Sequence, residues 1–207
     1  MWICAVIAVI IGYLLGNFNG AVCVSRLLGD DVRSHGSGNA GLTNFIRSYG
    51  AGRSALVIVI DAGKAVVACL TGGLLLIRYG YFQEGAAIGG AAVMLGHVFP
   101  VFLGFRGGKG ILSGLFIAIM VDWRIAMLIL IVFAVAYLTT QYVSLGSVLA
   151  AIAFGLGFVV LHHTNPVVMI CGIFMSVLAT CMHWQNIQRL LRREERKTNL
   201  FRKEREQ

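Results

Sequence analysis

Long apolar runs separated by short polar turns organise this chain. Seven runs are legible: Ile3 to Val24, Ala55 to Ile77, Ala86 to Leu103, Ile111 to Val121, Ile125 to Leu138, a run entered from Thr139–Ser147 and ending near Leu161, and a run from Pro166 to about Met182. Runs of roughly 20 apolar residues span a bilayer as helices. The fourth run reaches only about 16 Å at 1.5 Å per residue, so it is either completed by its polar start or partly re-entrant. Pro166 is placed to open a helix. In the first run Gly12, Gly16, Asn17, Asn19 and Gly20 favour close helix packing and a polar inner end. The second run carries Asp61 and Lys64, three positions apart on one helical face. Charges in lipid are costly, so these two should pair or face a polar cavity. The pattern predicts an all-α integral membrane protein with seven transmembrane helices. Residues 1–187 form the transmembrane domain and 188–207 a tail.

Composition supports this class and excludes others. Of 207 residues, 58% are hydrophobic and 13% charged, with a mean hydropathy of +0.82. The net charge of +8 is not a nucleic-acid footprint, because eight of the 17 Lys/Arg residues lie in the tail, where they alternate with Glu. That tail reads as a cytoplasmic, lipid-facing or solvated helix. The five cysteines sit in apolar stretches without metal or redox spacing and read as small buried hydrophobes. The first run is too long for a signal-peptide core and lacks a cleavage site, so it is read as a retained span. With seven spans, 14 of the 17 Lys/Arg residues fall on one side. The positive-inside rule then puts the N-terminus outside and the C-terminus in the cytoplasm. The loop 25–54, the turn 107–110, the turn 144–147 and the end of the last span all land on that cytoplasmic side. Asp61/Lys64 and the outer turns are set apart from them, and His162-His163, without a partner on its side, reads as a polar turn.

The candidate chemistry lies in those cytoplasmic segments. Gly36-Ser37-Gly38-Asn39-Ala40-Gly41-Leu42-Thr43-Asn44 is the longest polar, glycine-studded stretch. Glycines leave backbone N–H groups free to converge on an anion. Ser37, Asn39, Thr43 and Asn44 add neutral donors, and Arg47 adds a cationic fork suited to phosphate. Taken alone, the stretch also fits a flexible connector. Gly107-Gly108-Lys109-Gly110 opens a helix and offers a second anion site, or an ordinary basic loop. Ser144 and Ser147 bracket another helix start, where one of them could be an N-cap. His97 adjoins an aromatic and proline turn, while His183 and Asn186 share a helix face; each histidine also fits a structural role. No nucleophile elbow, Cys/His pair, zinc spacing or Walker lysine-serine pair is present. These residues suit two anionic reactants and a direct transfer between them, without metal or cofactor.

Four strings carry a resemblance: GSGNAGLTNFIRSYG, GHVFPVFLGFRGGKG, YVSLGS and the closing H-x-x-N-I-x-R-L. Together they are similar to the bacterial membrane acyltransferases that move a fatty acyl chain from acyl phosphate to the 1-hydroxyl of glycerol 3-phosphate, giving lysophosphatidic acid and phosphate in phospholipid synthesis. The resemblance covers about Gly16 to Glu195 and implies seven helices with active-site loops on the cytoplasmic face. It implies that Ser37, Gly38, Asn39 and Gly41 cradle the acyl-phosphate phosphate. It implies that Arg47, Lys109, Ser144, His183 and Asn186 hold glycerol 3-phosphate and the developing charge, with the proton passing to His183 or to a substrate phosphate. Thr43, Asn44, His97, Gly107, Gly108, Gly110 and Ser147 join the substrate-binding set.

Some positions depart from the family pattern. Ile111-Leu112-Ser113 stands for the usual Val-Ala-Thr, Gly16-Asn17 for Gly-Ser, and Asp61-Ala62-Gly63-Lys64-Ala65 for Asp-x-x-Lys-Gly. His183-Trp184-Gln185-Asn186 replaces His-Arg-Glu-Asn and loses a charge pair beside the site. Two alternatives follow: a weak, specialised or inactive relative, and a membrane carrier or binding protein for phosphorylated small molecules or lipids. No internal repeat of the transporter kind is visible, which weighs against the carrier.

Overall fold

Asn17-Phe18-Asn19 breaks the first apolar run into two helices in the computed structural model, which describes residues 1–197. α1 covers Trp2–Gly16 and α2 covers Gly20–Leu27. Asn19 makes the break by capping α2, its Oδ1 accepting the Val22 N–H at 3.0 Å. The remaining helices are α3 (Leu42–Tyr49), α4 (Ser54–Leu76), α5 (Phe82–Val98), α6 (Ile111–Val121), α7 (Trp123–Thr140), α8 (Val143–Leu161), α9 (Pro166–Met182) and α10 (Trp184–Leu191). No strand occurs among the described residues.

The chain is an all-helical integral membrane protein. Five helical segments are long and apolar enough to cross a membrane, and a sixth is added if α9 and α10, bent by 54°, count as one. α6 is an apolar helix of 11 residues, too short to cross alone. Large apolar side chains such as Ile131, Leu156 and Ile170 face outward, as lipid-facing positions do.

Small residues bring the first helices together. α1, α4 and α5 pack mutually, and a Cβ placed on Gly16 would lie 2.7 Å from the Cα of Gly96. Such approach lets dispersion and backbone contacts replace the hydrophobic drive that lipid lacks. The main core then runs through α4–α9, from Ala65 and Val93 to Ile117, Ile125, Phe158 and Met175. A smaller core of Val22, Val32, Ala40, Phe45 and Val57 lies under the polar loop.

That loop is less irregular than expected. Within it α3 places Leu42, Phe45, Ile46 and Tyr49 at helical spacing, with Phe45 wholly buried. The turn between α8 and α9 also differs from expectation. His162 does have a partner on its side: its Nε2 lies 3.0 Å from Asp122 Oδ2, both side chains being buried. Asp122 Oδ1 meanwhile caps α7 through the Arg124 N–H at 3.0 Å. The pair closes the end of the bundle far from the polar loop.

Candidate active site

Asn44 shapes the glycine-rich loop from within. Its Oδ1 accepts the Ser37 N–H at 2.9 Å, and its Nδ2 donates to the carbonyls of Val32, His35 and Asn39 at 3.0–3.1 Å. Gly36 passes directly over this amide with φ +57°, where a Cβ would lie 2.4 Å from Asn44 Oδ1. Asn44 is 2% exposed, so it lines the cleft as scaffold, with both ends of its amide spent on the loop. The loop is moored below by Asn19, whose Nδ2 donates to the Ala40 carbonyl at 2.9 Å. It is moored outside by Asp30, which accepts from Tyr49 Oη at 2.9 Å and contacts His35 Nε2 at 2.7 Å.

This architecture moves the anion donors from where the loop glycines suggest. The Ser37 N–H is taken by Asn44, and the Gly38 N–H by the His35 carbonyl. The first-turn N–H groups of α3 remain, since a helix start lacks i−4 acceptors and Gly41 provides no side-chain cap. Gly41, Leu42 and Thr43 stand at the cleft wall, with Ser37, Asn39 and Arg47 beside them.

Beneath the loop lies a closed set of charges. Lys64 Nζ contacts Asp61 Oδ1 at 2.7 Å, His97 Nδ1 at 2.7 Å and the Phe18 carbonyl at 2.8 Å. Asp61 also accepts the Gly20 N–H at 3.0 Å, which fixes the start of α2. An ammonium only donates, so His97 accepts at Nδ1 and carries its proton on Nε2. Asp61 and His97 reach the inner wall of the cleft, so Asp61, which the sequence set apart together with Lys64, joins the other polar groups.

The Gly107–Gly110 turn divides in two. The N–H groups of Gly107 and Gly108 bond the carbonyls of Val98 and His97 at 3.2 and 3.1 Å. A Cβ on Gly108 would lie 2.2 Å from His97 Nε2. These two glycines serve packing and, like Gly38, are absent from the cleft wall, whereas Lys109 and Gly110 line it. Lys109 Nζ donates to Asn186 Oδ1. Burial pushes its ammonium down to about 8, with Arg189 and Arg47 adding to the fall and Glu195 opposing it.

The opposite wall comes from α8, the α9–α10 bend and the segment after it. Ser147 Oγ donates back to the Val143 carbonyl at 2.9 Å, and neither serine caps α8, which starts at Val143. Ser144 Oγ is buried and faces the Glu195 carboxylate without a hydrogen bond of good geometry or another partner among the described residues. His183 donates from Nδ1 to the Ala179 carbonyl at 2.8 Å, which leaves its Nε2 with a lone pair. Asn186 Nδ2 donates to Glu195 Oε1 at 3.1 Å, and Arg189 Nε to Glu195 Oε2 at 2.8 Å.

Arg189 and Glu195 are cleft residues that the sequence reading missed. Arg189 sits one helical turn beyond Asn186, a usable signal. Glu195 returns only because Arg193 adopts φ +60°, which no pattern announced. Of the assigned tail, 198–207 lies outside the described residues. Gln188–Leu191 belong to α10, and Glu194, Glu195 and Arg196 line the cleft. Among the described residues no three His, Cys, Asp or Glu side chains gather as metal ligands.

A cavity of about 910 Å³ lies between these walls. Its polar end holds the α3 start, Arg47, Lys109, Ser144, His183 and Asn186. Its other wall is apolar: Ile111 and Leu115 of α6, Ile129 and Phe133 of α7, Val143 and Ala150 of α8. The arrangement has the shape and polarity of a site that could take a reactant with an anionic head and an apolar chain. Comparison with known proteins makes the class particular. The family signature "Glycerol-3-phosphate acyltransferase" matches residues 6–193. A glycerol-3-phosphate acyltransferase of Anaeromyxobacter dehalogenans (strain 2CP-C) is 40% identical over 189 residues, 90% of this chain and 93% of that protein. One from Thermoanaerobacter sp. (strain X514) is 37% identical over 188 residues, 90% and 92% of the two chains. The crystal structure of PlsY (YgiH), an integral membrane glycerol 3-phosphate acyltransferase in its glycerol 3-phosphate form, superposes with TM-score 0.84 at 32% identity, covering 96% of this chain and 99% of that one. Its lysophosphatidic acid form gives 0.82, also at 32% identity, covering 95% and 96%. The chain belongs to the glycerol-3-phosphate acyltransferase family.

Proposed function

We propose that this protein transfers a fatty acyl group from acyl phosphate to the 1-hydroxyl of glycerol 3-phosphate, releasing phosphate and lysophosphatidic acid. One observation carries the reading: a single cleft joins a cationic polar end to a wall of aliphatic and aromatic side chains. An acyl phosphate has both parts in one molecule, and glycerol 3-phosphate brings a second anion to the same end. The relatives crystallised with glycerol 3-phosphate and with lysophosphatidic acid support the acceptor and the product.

In this reading the α3 N-terminus with Ser37, Asn39 and Thr43 receives the donor phosphate, and Arg47, Lys109 and Asn186 hold glycerol 3-phosphate. The acceptor hydroxyl oxygen forms a bond to the acyl carbon, and the bond from that carbon to the phosphate oxygen breaks. Phosphate is a stable leaving anion, so no protein nucleophile is required. The hydroxyl proton passes to His183 Nε2, the ring nitrogen left with a lone pair. Lys109 stabilises the charge that grows on oxygen during transfer. The cleft opens to the cytoplasm of a bacterial inner membrane, with α6 and its polar entry counted as a seventh crossing, the N-terminus outside and the C-terminus inside. The 14 of 17 Lys/Arg residues on that side support the orientation.

The test is purified protein given acyl phosphate or acyl-CoA with glycerol 3-phosphate. Lysophosphatidate and phosphate should form in equal amounts from acyl phosphate alone. Lys109→Ala should lower kcat by about 10²–10³, the usual cost of one preorganised charge donor. No product from acyl phosphate, or full activity in Lys109→Ala, would overturn the reading.

A further inference from the structure

The segment after α10 turns back on itself. Arg192 and Arg193 N–H groups bond the Gln188 and Leu190 carbonyls, Arg193 takes φ +60°, and the Glu194 N–H reaches the Arg189 carbonyl at 2.8 Å. Two anchors hold the returning strand of chain. Lys197 Nζ lies over the Tyr142 ring, 5.6 Å from its centroid, at the start of α8. Glu195 enters the cleft wall with its side chain only 5% exposed, against 38% for its partner Arg189.

A carboxylate can only accept hydrogen bonds. Glu195 Oε1 therefore requires the NH₂ end of the Asn186 amide, which turns Asn186 Oδ1 toward Lys109. Without that carboxylate either end of the amide could face Lys109, and one of them would repel it. Four residues from three segments thus meet in one chain of bonds: Lys109 before α6, Asn186 and Arg189 on α10, and Glu195 beyond it. The run His183-Trp184-Gln185-Asn186 has no charge of its own at this turn, and Gln185 is exposed. We propose that Glu195 is a positioning residue of the active site, fixing the Asn186 amide so that the Lys109 ammonium is aimed into the cleft.

Buried carboxylates near cations often serve only to moor a chain end, so the test needs a readout that mooring would not move. The charged and titratable groups facing Lys109 are Arg47 on α3, Arg189 on α10, His183 at the bend and Glu195. Only Glu195 is anionic. In full-length protein in micelles, the Lys109 ammonium followed by ¹⁵N NMR should titrate about half a unit or more lower in Glu195→Ala than in the unaltered chain. Steady-state transfer should show kcat lowered about tenfold in Glu195→Ala, with its alkaline limb moved to lower pH. Glu195→Asp should recover part of both effects, because the returning segment can follow a shorter carboxylate. An unmoved Lys109 titration with unchanged kcat in folded Glu195→Ala overturns the proposal. A rise in activity also overturns it, since Glu195 would then be an internal plug in the anion site. The kinetic arm rests on the acyl-transfer reading, and the titration does not. Absence of turnover in the unaltered protein therefore counts against that reading, while the Lys109 shift still decides the role of Glu195.

Discussion

Asp61–Lys64–His97 and Lys109–Asn186–Glu195–Arg189 are two clusters of charge in one fold, the first buried and the second half-buried. The first is closed. Lys64 spends its ammonium on Asp61, His97 and backbone carbonyls of the α1–α2 break. Its two charged members lie three positions apart on one helix, so the pair forms as soon as α4 does. The second is open. Lys109 has Asn186 as its hydrogen-bonding partner among the described residues and faces the cavity with Arg47 and Arg189 near it. Its members come from positions 109, 186, 189 and 195 and meet only when the bundle is assembled. Charge that holds a membrane fold together is local and saturated with acceptors. Charge that faces a cavity is assembled from distant segments.

The sharpest way to break this comparison is to open the closed cluster. Asp61→Ala strands a buried ammonium and frees the Gly20 N–H, so it should cost about 3–5 kcal/mol of stability. A second change, Lys64→Met in the same chain, should recover part of that loss by removing the stranded charge. Thermal unfolding in detergent micelles checks both. If Asp61→Ala unfolds at the unaltered midpoint, the cluster is not structural in the sense claimed.

Asn44→Ala gives the next largest effect and probes what the sequence concealed. It removes the acceptor of the Ser37 N–H and the donor of three loop carbonyls, so about 1–3 kcal/mol should be lost. Acceptor binding by glycerol 3-phosphate should weaken with it, because α3 carries both Asn44 and Arg47. Calorimetric binding together with the unfolding midpoint reads the two effects; unchanged values in both would return Asn44 to the role of a dispensable loop side chain.

How far that site was legible follows from the range of each interaction. The apolar runs and the Asp61/Lys64 pair are properties of spacing, and they were visible in the sequence. So were Arg47, Lys109, Ser144, His183 and Asn186 as candidates, and all five line the cavity. What spacing hides is the direction of a side chain. Asn44 looks like any polar donor in a glycine loop until its amide is found turned into the loop. Gly107 and Gly108 read as phosphate-binding glycines, yet they are glycine because His97 leaves no room for a Cβ. His162 met Asp122 across 40 positions, and Glu195 met Asn186 through a left-handed turn at Arg193. Each is a tertiary contact with no local signal.

The gentlest probe leaves the sequence intact and changes only the proton concentration. Burial, with Arg189 and Arg47 nearby, brings the Lys109 ammonium down to about 8, while Glu195 resists the fall. A lysine is charged below its titration point, so the Lys109 cation is present at neutral pH and disappears as pH rises through about 8. If Lys109 must be charged during transfer, kcat should fall about tenfold for each further pH unit, the loss set by the shrinking protonated fraction. Arginine retains its charge at any working pH, so Lys109→Arg should remove the alkaline limb if the larger fork still fits. A rate that stays level from pH 7 to 10 in the unaltered protein would place Lys109 with Lys64, as a buried cation whose charge the reaction does not use. The difference between the two clusters would then lie in position alone.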